Sequence, residues 1–244
     1  MRTTNRAILR RVAALSCAMA VMALTFADAE AGGDVRETRG MMEYKLGPYQ
    51  PNVDSEFDNG PYEEFFGGSS MFYGEMAFDY HLWQGVGKLS LGIHGGYGRV
   101  SSVARDATTG AEVDSDETAS FRIIPLRSSL VYRYDYSALH HGVPLVPVLK
   151  GGLNYNLWRV KNPGGDTATV GDTRGAGGQP GWHFTAGIHL HLDFIDPSSA
   201  AAFDMTWGIA NSYLFFEHTW TRMLDEERID LSADHWAIGL AFEF

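Results

Sequence analysis

Hydrophobic and polar residues alternate along most of this chain with a period of two. From Gly181 to Phe194 the even positions hold Trp182, Phe184, Ala186, Ile188, Leu190, Leu192 and Phe194, and the odd ones His183, Thr185, Gly187, His189, His191 and Asp193. Successive side chains on a strand point to opposite faces, so this spacing predicts one strand with an apolar and a polar face. Its 14 residues exceed the about 5–6 of an ordinary globular strand. They suit a tilted strand that crosses a membrane, for which roughly 9–11 residues suffice.

The same pattern recurs. Phe72, Gly74, Met76, Phe78, Tyr80 and Leu82 oppose Tyr73, Glu75, Ala77, Asp79 and His81, and Leu89, Leu91, Ile93, Gly95 and Tyr97 oppose Ser90, Gly92, His94, Gly96 and Gly98. Ile124, Leu126, Leu130, Tyr132 and Tyr134 share a face with Ser128. Leu145, Pro147, Leu149, Leu153, Tyr155 and Leu157 oppose Lys150, Asn154 and Asn156, and Trp236, Ile238, Leu240, Phe242 and Phe244 oppose His235, Ala237, Gly239, Ala241 and Glu243. Two strands are less regular: Met42, Tyr44 and Leu46 against Glu43 and Lys45, and Ile209 to Arg222, where Tyr213-Leu214-Phe215-Phe216 blurs the faces. The total is eight. An even number lets a closed antiparallel barrel bring both ends of the chain to one side.

The connections alternate in length. Residues 49–71, 101–118, 159–180 and 223–232 are long and rich in Gly, Pro or charge, whereas 83–87, 137–143 and 195–205 are mostly shorter. Long loops at one end and short turns at the other are the habit of outer-membrane barrels. Asp196-Pro197 ahead of Ser198 to Ala202 predicts a helical turn on the short-loop side.

After residue 31 no stretch of about 18 consecutive apolar residues occurs, so no transmembrane helix is predicted there. Before it, Arg2, Arg6, Arg10 and Arg11 precede the small and apolar run Val12 to Phe26, and Ala27-Asp28-Ala29 supplies a small-x-small cleavage pattern, with Ala29-Glu30-Ala31 as a second candidate. Residues 1–29 therefore read as a signal peptide and 30–244 as the barrel domain. Cys17 falls in the signal segment, which leaves the mature part without a cysteine and excludes a disulfide scaffold or thiol nucleophile. Without residues 1–29 the balance is 15 basic against 29 acidic residues, or −14, the wrong sign for a nucleic-acid partner. The 28 glycines and 31 aromatic residues suit tightly turned strands and disfavour a helical bundle.

Alternation alone does not say which face points inward: a lipocalin-like periplasmic barrel would enclose its apolar face, and a membrane barrel displays it. The secretion signal, strand length and loop asymmetry favour the membrane. So does the end of the chain, because Trp236 to Phe244 resembles the terminal strand of outer-membrane barrels, with alternating apolar positions and a final aromatic read by the barrel-insertion machinery. The chain further resembles a family of uncharacterised outer-membrane β-barrel proteins from myxobacteria and their relatives. The resembling parts are Glu43-Tyr44-Lys45-Leu46-Gly47-Pro48-Tyr49-Gln50-Pro51-Asn52-Val53-Asp54-Ser55-Glu56-Phe57, the strand beginning at Phe72, and Asn211 to Trp220 with the final strand. The resemblance implies fold and location; it brings no activity.

Candidate chemistry is sparse. His183, His189 and His191 share the polar face, with His81 and His94 as further members, and histidine binds borderline metals. A metal would need a ligand from a neighbouring strand, and histidines bonded to lumen acids are the default. Glu75, Asp79, Lys150 and Asp193 suggest an ionic network filling the interior of a narrow barrel. Tyr44, Tyr49, Tyr80, Trp83, Tyr134, Trp158, Trp182, Trp220 and Trp236 fall near strand ends as candidates for interfacial girdles. No Gly-x-Ser-x-Gly elbow or dinucleotide fingerprint occurs. The sequence thus predicts an all-β, closed antiparallel eight-stranded transmembrane β-barrel of the outer membrane, in contact with its lipid. Its lumen is expected to be plugged, its role structural or surface-interacting, and no enzyme activity, cofactor or metal site is assigned. The alternatives are a narrow channel or carrier for small molecules, a lipid-modifying enzyme, and a periplasmic lipocalin-like binder.

Overall fold

The computed structural model describes residues 37–53, 70–103, 118–162, 164–170, 173–224 and 229–244. The predicted signal segment 1–29 and residues 104–117 of the predicted long connection 101–118 lie outside them. Eight long strands, each of 10 to 17 residues, form the body: β1 (Gly40–Tyr49), β2 (Met71–Gly85), β3 (Gly87–Val103), β4 (Thr118–Arg133), β5 (Leu145–Lys161), β8 (Ala176–His191), β9 (Asn211–Met223) and β10 (Ala233–Glu243). The pair β6 (Thr169–Val170) and β7 (Thr173–Arg174) forms a small separate ribbon between β5 and β8. Each long strand pairs antiparallel with its neighbours, and β1 meets β10 to close the barrel. At that seam Gly40 and Phe244 exchange backbone bonds of 3.0 and 2.9 Å, so both chain ends of the barrel lie at the short-connection end.

The turns follow from local chemistry. Gly85 pairs with Gly87 around Val86, and Gly87 has φ +95, a conformation open to glycine; a Cβ there would also lie 2.6 Å from the Arg133 carbonyl. The connection from β4 to β5 holds α1 (Tyr136–His141), and that from β8 to β9 holds a 3-10 turn (Leu192–Phe194) and α2 (Pro197–Trp207). The predicted single helical turn is thus an 11-residue helix. The predicted strand Gly181–Phe194 instead begins at Ala176 and stops at His191. It stops because Asp193 turns to accept the Ser212 amide at 3.1 Å, and Asp196 begins the helix.

Parity decides inside from outside. On β2, Phe72, Met76, Phe78 and Tyr80 are exposed and Tyr73, Glu75, Ala77, Asp79 and His81 are buried. On β3, Ile93 is 63% exposed while its neighbour His94 is 6% exposed. β9 obeys the same rule: Tyr213 and Phe215 point inward, Leu214 and Phe216 outward. The faces looked blurred in sequence because here the lumen itself is aromatic. The apolar set therefore faces out all round the barrel, and the interior holds the charges.

Candidate functional site

Among the described residues six acids (Glu43, Glu75, Asp79, Asp135, Glu217, Glu243) and five bases (Lys45, Lys88, Arg127, Arg133, Lys150) are buried in the barrel, a nearly balanced interior in a chain of net charge −11. Charges removed from water must be paired, or desolvation outweighs the rest. At mid-height Lys150 of β5 bonds both Glu43 of β1 and Glu217 of β9, the latter at 2.7 Å. Lys45 lies 3.1 Å from Glu217, 3.0 Å from Glu75 and 3.7 Å from Glu43. Two carboxylates are thus bridged by two ammonium groups across the lumen. Arg127 donates to Glu75 at 2.6 Å, and Arg133 reaches Glu43 at 3.2 Å and Asp79 at 3.5 Å. The Tyr73 hydroxyl also donates to Glu75.

A second hub lies at the short-connection end. Glu243 accepts from Lys88 at 2.6 Å, Asn211 at 2.7 Å and Thr38 at 3.0 Å, and its partner His81 is 2.9 Å away. Lys88 also pairs with Asp135 at 3.0 Å. Glu243 therefore ties the closing strand to β2, β3 and β9.

Apolar layers flank the central charges. Toward the long loops, Tyr49, Met71, Tyr73, Val100, Phe121, Ile123 and Leu231 pack into one cluster; toward the turns, Met41, Val131, Val146, Val148, Tyr213 and Phe215 pack into another. Gly96 makes the first possible, since a Cβ there would stand 2.2 Å from the Tyr73 hydroxyl. With Glu43 and Arg133 both at 0% exposure and Lys150 at 1%, the middle of the lumen is packed protein and not a water-filled pore.

The histidines are distributed among several partners and form no single cluster. His183 and His94 both meet Ser129 Oγ through Nε2, at 2.9 and 3.0 Å, and His94 Nδ1 lies 3.2 Å from Glu75. His189 bonds Glu217 at 3.1 Å, His191 bonds Asn211 at 3.1 Å, and His81 belongs to Glu243. Of the predicted ionic set, Glu75, Asp79 and Lys150 share the central network. Asp193 lies outside it, beside His191 at the turn end. Arg127, Ser129, Arg133 and Glu217 were not among the predicted set; the available signal was their alternation against outward Leu126, Ser128, Tyr132 and Phe216.

Two arrangements have a chemical look. Ser129, His94 and Glu75 stand in the order of a nucleophile, base and orienting acid. A proton count fixes the roles: with His94 Nδ1–H donated to Glu75, Ser129 donates to His94 Nε2 and accepts from His183 Nε2–H. Ser129 is 1% exposed, however, and Glu75 is already held by Arg127 and Lys45. The chain of bonds cross-braces β2, β3, β4 and β8 and presents no nucleophile to a substrate. Glu43, His189 and Glu217 also bring one ligand atom each within 4.8 Å of one another, a donor set suited to a borderline metal. Lys150 bonds both carboxylates, so an ammonium group already supplies the cation.

On the outer wall Tyr44, Tyr80, Trp182 and Trp236 are exposed, and Trp83, Tyr134 and Trp220 are half-buried. Tyr49 and Trp158 depart from the expected girdle: Tyr49 lies within the lumen cluster and Trp158 packs against it. A recess of about 740 Å³ lies in the wall of β1, β2, β3, β9 and β10, with Gly74 and Gly95 among apolar side chains such as Leu46, Met76 and Leu240.

A closed, even-stranded antiparallel barrel with an apolar exterior and a charged, plugged interior is the architecture of an outer-membrane β-barrel protein. No protein-family model matches the chain, and no curated protein matches it. Among solved structures it is similar to Neisserial surface protein A at 11% identity and a TM-score of 0.45, over 87% of this chain and 100% of that one. It is also similar to Ail, the attachment invasion locus protein of Yersinia pestis, at 9% identity and a TM-score of 0.41, over 86% and 100%. A third is the N-terminal β-barrel domain of Pseudomonas aeruginosa OprF, at 10% identity and a TM-score of 0.39, again over 86% and 100%.

Proposed function

We propose that this protein is a structural or surface-interaction component of the outer membrane, a closed barrel that carries its long loops outward and neither conducts nor catalyses. In this reading residues 1–29 are a cleaved signal peptide, the aromatic-ended strand β10 engages the barrel-insertion machinery, and membership of the myxobacterial family rests on the resembling segments alone. The observation that carries the reading is the neutralised charged layer between two apolar clusters. A pore needs continuous water, and here the charges that would line one are consumed by each other.

Reconstitution in planar bilayers tests it. Folded protein, verified by a heat-modifiable gel band, is expected to give no stepwise conductance. Defined single-channel steps from the same sample would replace the plugged barrel by the narrow channel.

A further inference from the structure

The outer wall carries a row of charges that the lumen does not account for. Strand register places Arg99 of β3 opposite Arg122 of β4, and Arg122 opposite Arg159 of β5. All three have outward parity: Arg99 follows Ile93 and Tyr97, Arg122 precedes Ile124, and Arg159 follows Tyr155 and Leu157. Arg99 and Arg159 are exposed and Arg122 is half-buried. Directly opposed residues on antiparallel strands are about 4.5–5.5 Å apart at Cα, so three guanidinium stems stand abreast. Like charges in that position repel. Among the described residues the ion-paired arginines are Arg127, Arg133 and Arg222, and none of this row is among them. The contrast with Arg222 is instructive, for that exterior arginine is clasped by Asp234 on the neighbouring strand.

One step toward the middle of the barrel, on the same wall, lie exposed Tyr97, Ile124 and Leu157. The row is therefore the first charged tier above the apolar belt. On one flank Arg159 faces the small Ala176, and the ring of Tyr155 lies over Gly178 beside Leu157.

We infer that Arg99, Arg122 and Arg159 form a binding shelf for the phosphate headgroup of a membrane lipid, whose acyl chains run down over Tyr97, Ile124 and Leu157. Guanidinium forks match phosphate oxygens in pairs, and a lipid supplies the anion and the hydrocarbon together at that depth. The inference rests on the barrel spanning a membrane, and not on which end faces outward. The rival counterions are the chain's own acids in 106–117, among them Asp106, Glu112, Asp114, Asp116 and Glu117.

The test compares the wild-type protein with the triple variant R99Q/R122Q/R159Q in nanodiscs of phosphatidylcholine containing a minority of phosphatidylglycerol, counting retained lipids by native mass spectrometry. At about fivefold per arginine near a membrane surface, the wild type is expected to prefer phosphatidylglycerol, and the triple variant to lose on the order of 100-fold of that preference. Millimolar inorganic phosphate is expected to displace nothing. Equal retention by both proteins overturns the shelf, and displacement by inorganic phosphate reassigns it to a soluble anion. A stability loss in the variant that is the same in pure phosphatidylcholine, with lipid preference intact, assigns the row to the chain's own acids. If the triple variant does not fold, R122Q alone is expected to show about a fivefold loss. Wild-type protein without a heat-modifiable band would instead overturn the membrane reading beneath the proposal.

Discussion

Lys150 is the residue on which the interior charge balance turns. It stands between Glu43 and Glu217, both fully enclosed. Truncating one member of a buried ionic set typically costs about 3–5 kcal/mol, because the partner charge is left in a poor dielectric. Lys150→Met keeps most of the side-chain volume and deletes the ammonium group, so the loss it causes is electrostatic. It is expected to destabilise the barrel by about 3–5 kcal/mol in urea unfolding from lipid vesicles. A change below about 1 kcal/mol, the scale of an exposed pair, would mean that solvent reaches the centre of the lumen. Raising salt is expected to rescue little, since a buried pair is poorly screened.

At the scale of elements, α2 shows how a short connection is given an independent start signal. The Asp196 carboxylate accepts from the Ser198 and Ser199 amides at 3.2 and 3.1 Å and from both serine hydroxyls, with Pro197 in the first turn. These bonds hold the Asp196 pKa down to about 2 from 3.8. The folded value lies below the unfolded one, so the cap is fully present above about pH 4. It is lost as pH falls through about 2. The Ser198 and Ser199 amide chemical shifts are expected to titrate in that window. Asp196→Asn should keep the cap and flatten the titration, whereas an unchanged midpoint near 4 would remove the hydrogen bonds from the account. This helix was legible because N-cap chemistry is local, although its length was not: Phe203 to Trp207 carries no further signal. The strands were legible through parity, which sorted most residues onto two faces but left open which face turned inward, and misplaced Tyr49 and Trp158. What parity does not carry is which inward residues meet across the barrel. Glu43 and Lys150 are 107 positions apart, and only the closed register brings them together. For the same reason the histidines of β8 looked like one cluster in sequence, while in space His183 answers to Ser129 of β4 and His189 and His191 to two separate residues of β9.

The whole molecule inverts the ordinary protein, and that inversion can be tested by one side chain. Ile93 lies within the apolar belt at 63% exposure, with Phe78 and Ser128 opposite it on the neighbouring strands. If water bathed the wall, Ile93→Arg would exchange an exposed apolar residue for a solvated cation and change stability little, because such surface substitutions usually fall within about 0.5 kcal/mol. In a bilayer the guanidinium must enter hydrocarbon or drag water to it, which costs about 2–4 kcal/mol near the midplane and falls toward zero at the interface. Urea unfolding from lipid vesicles is therefore expected to show a loss of about 2–4 kcal/mol for Ile93→Arg. The same change at Ser101, exposed two residues beyond Arg99 on the same strand and face, is expected to cost less than about 1 kcal/mol. The depth dependence is the informative part. A cavity or strain effect has no reason to vanish along one strand at the tier where the arginines begin, whereas a lipid boundary does. Equal costs at Ile93 and Ser101, or none at either, would place the apolar face against something other than a membrane.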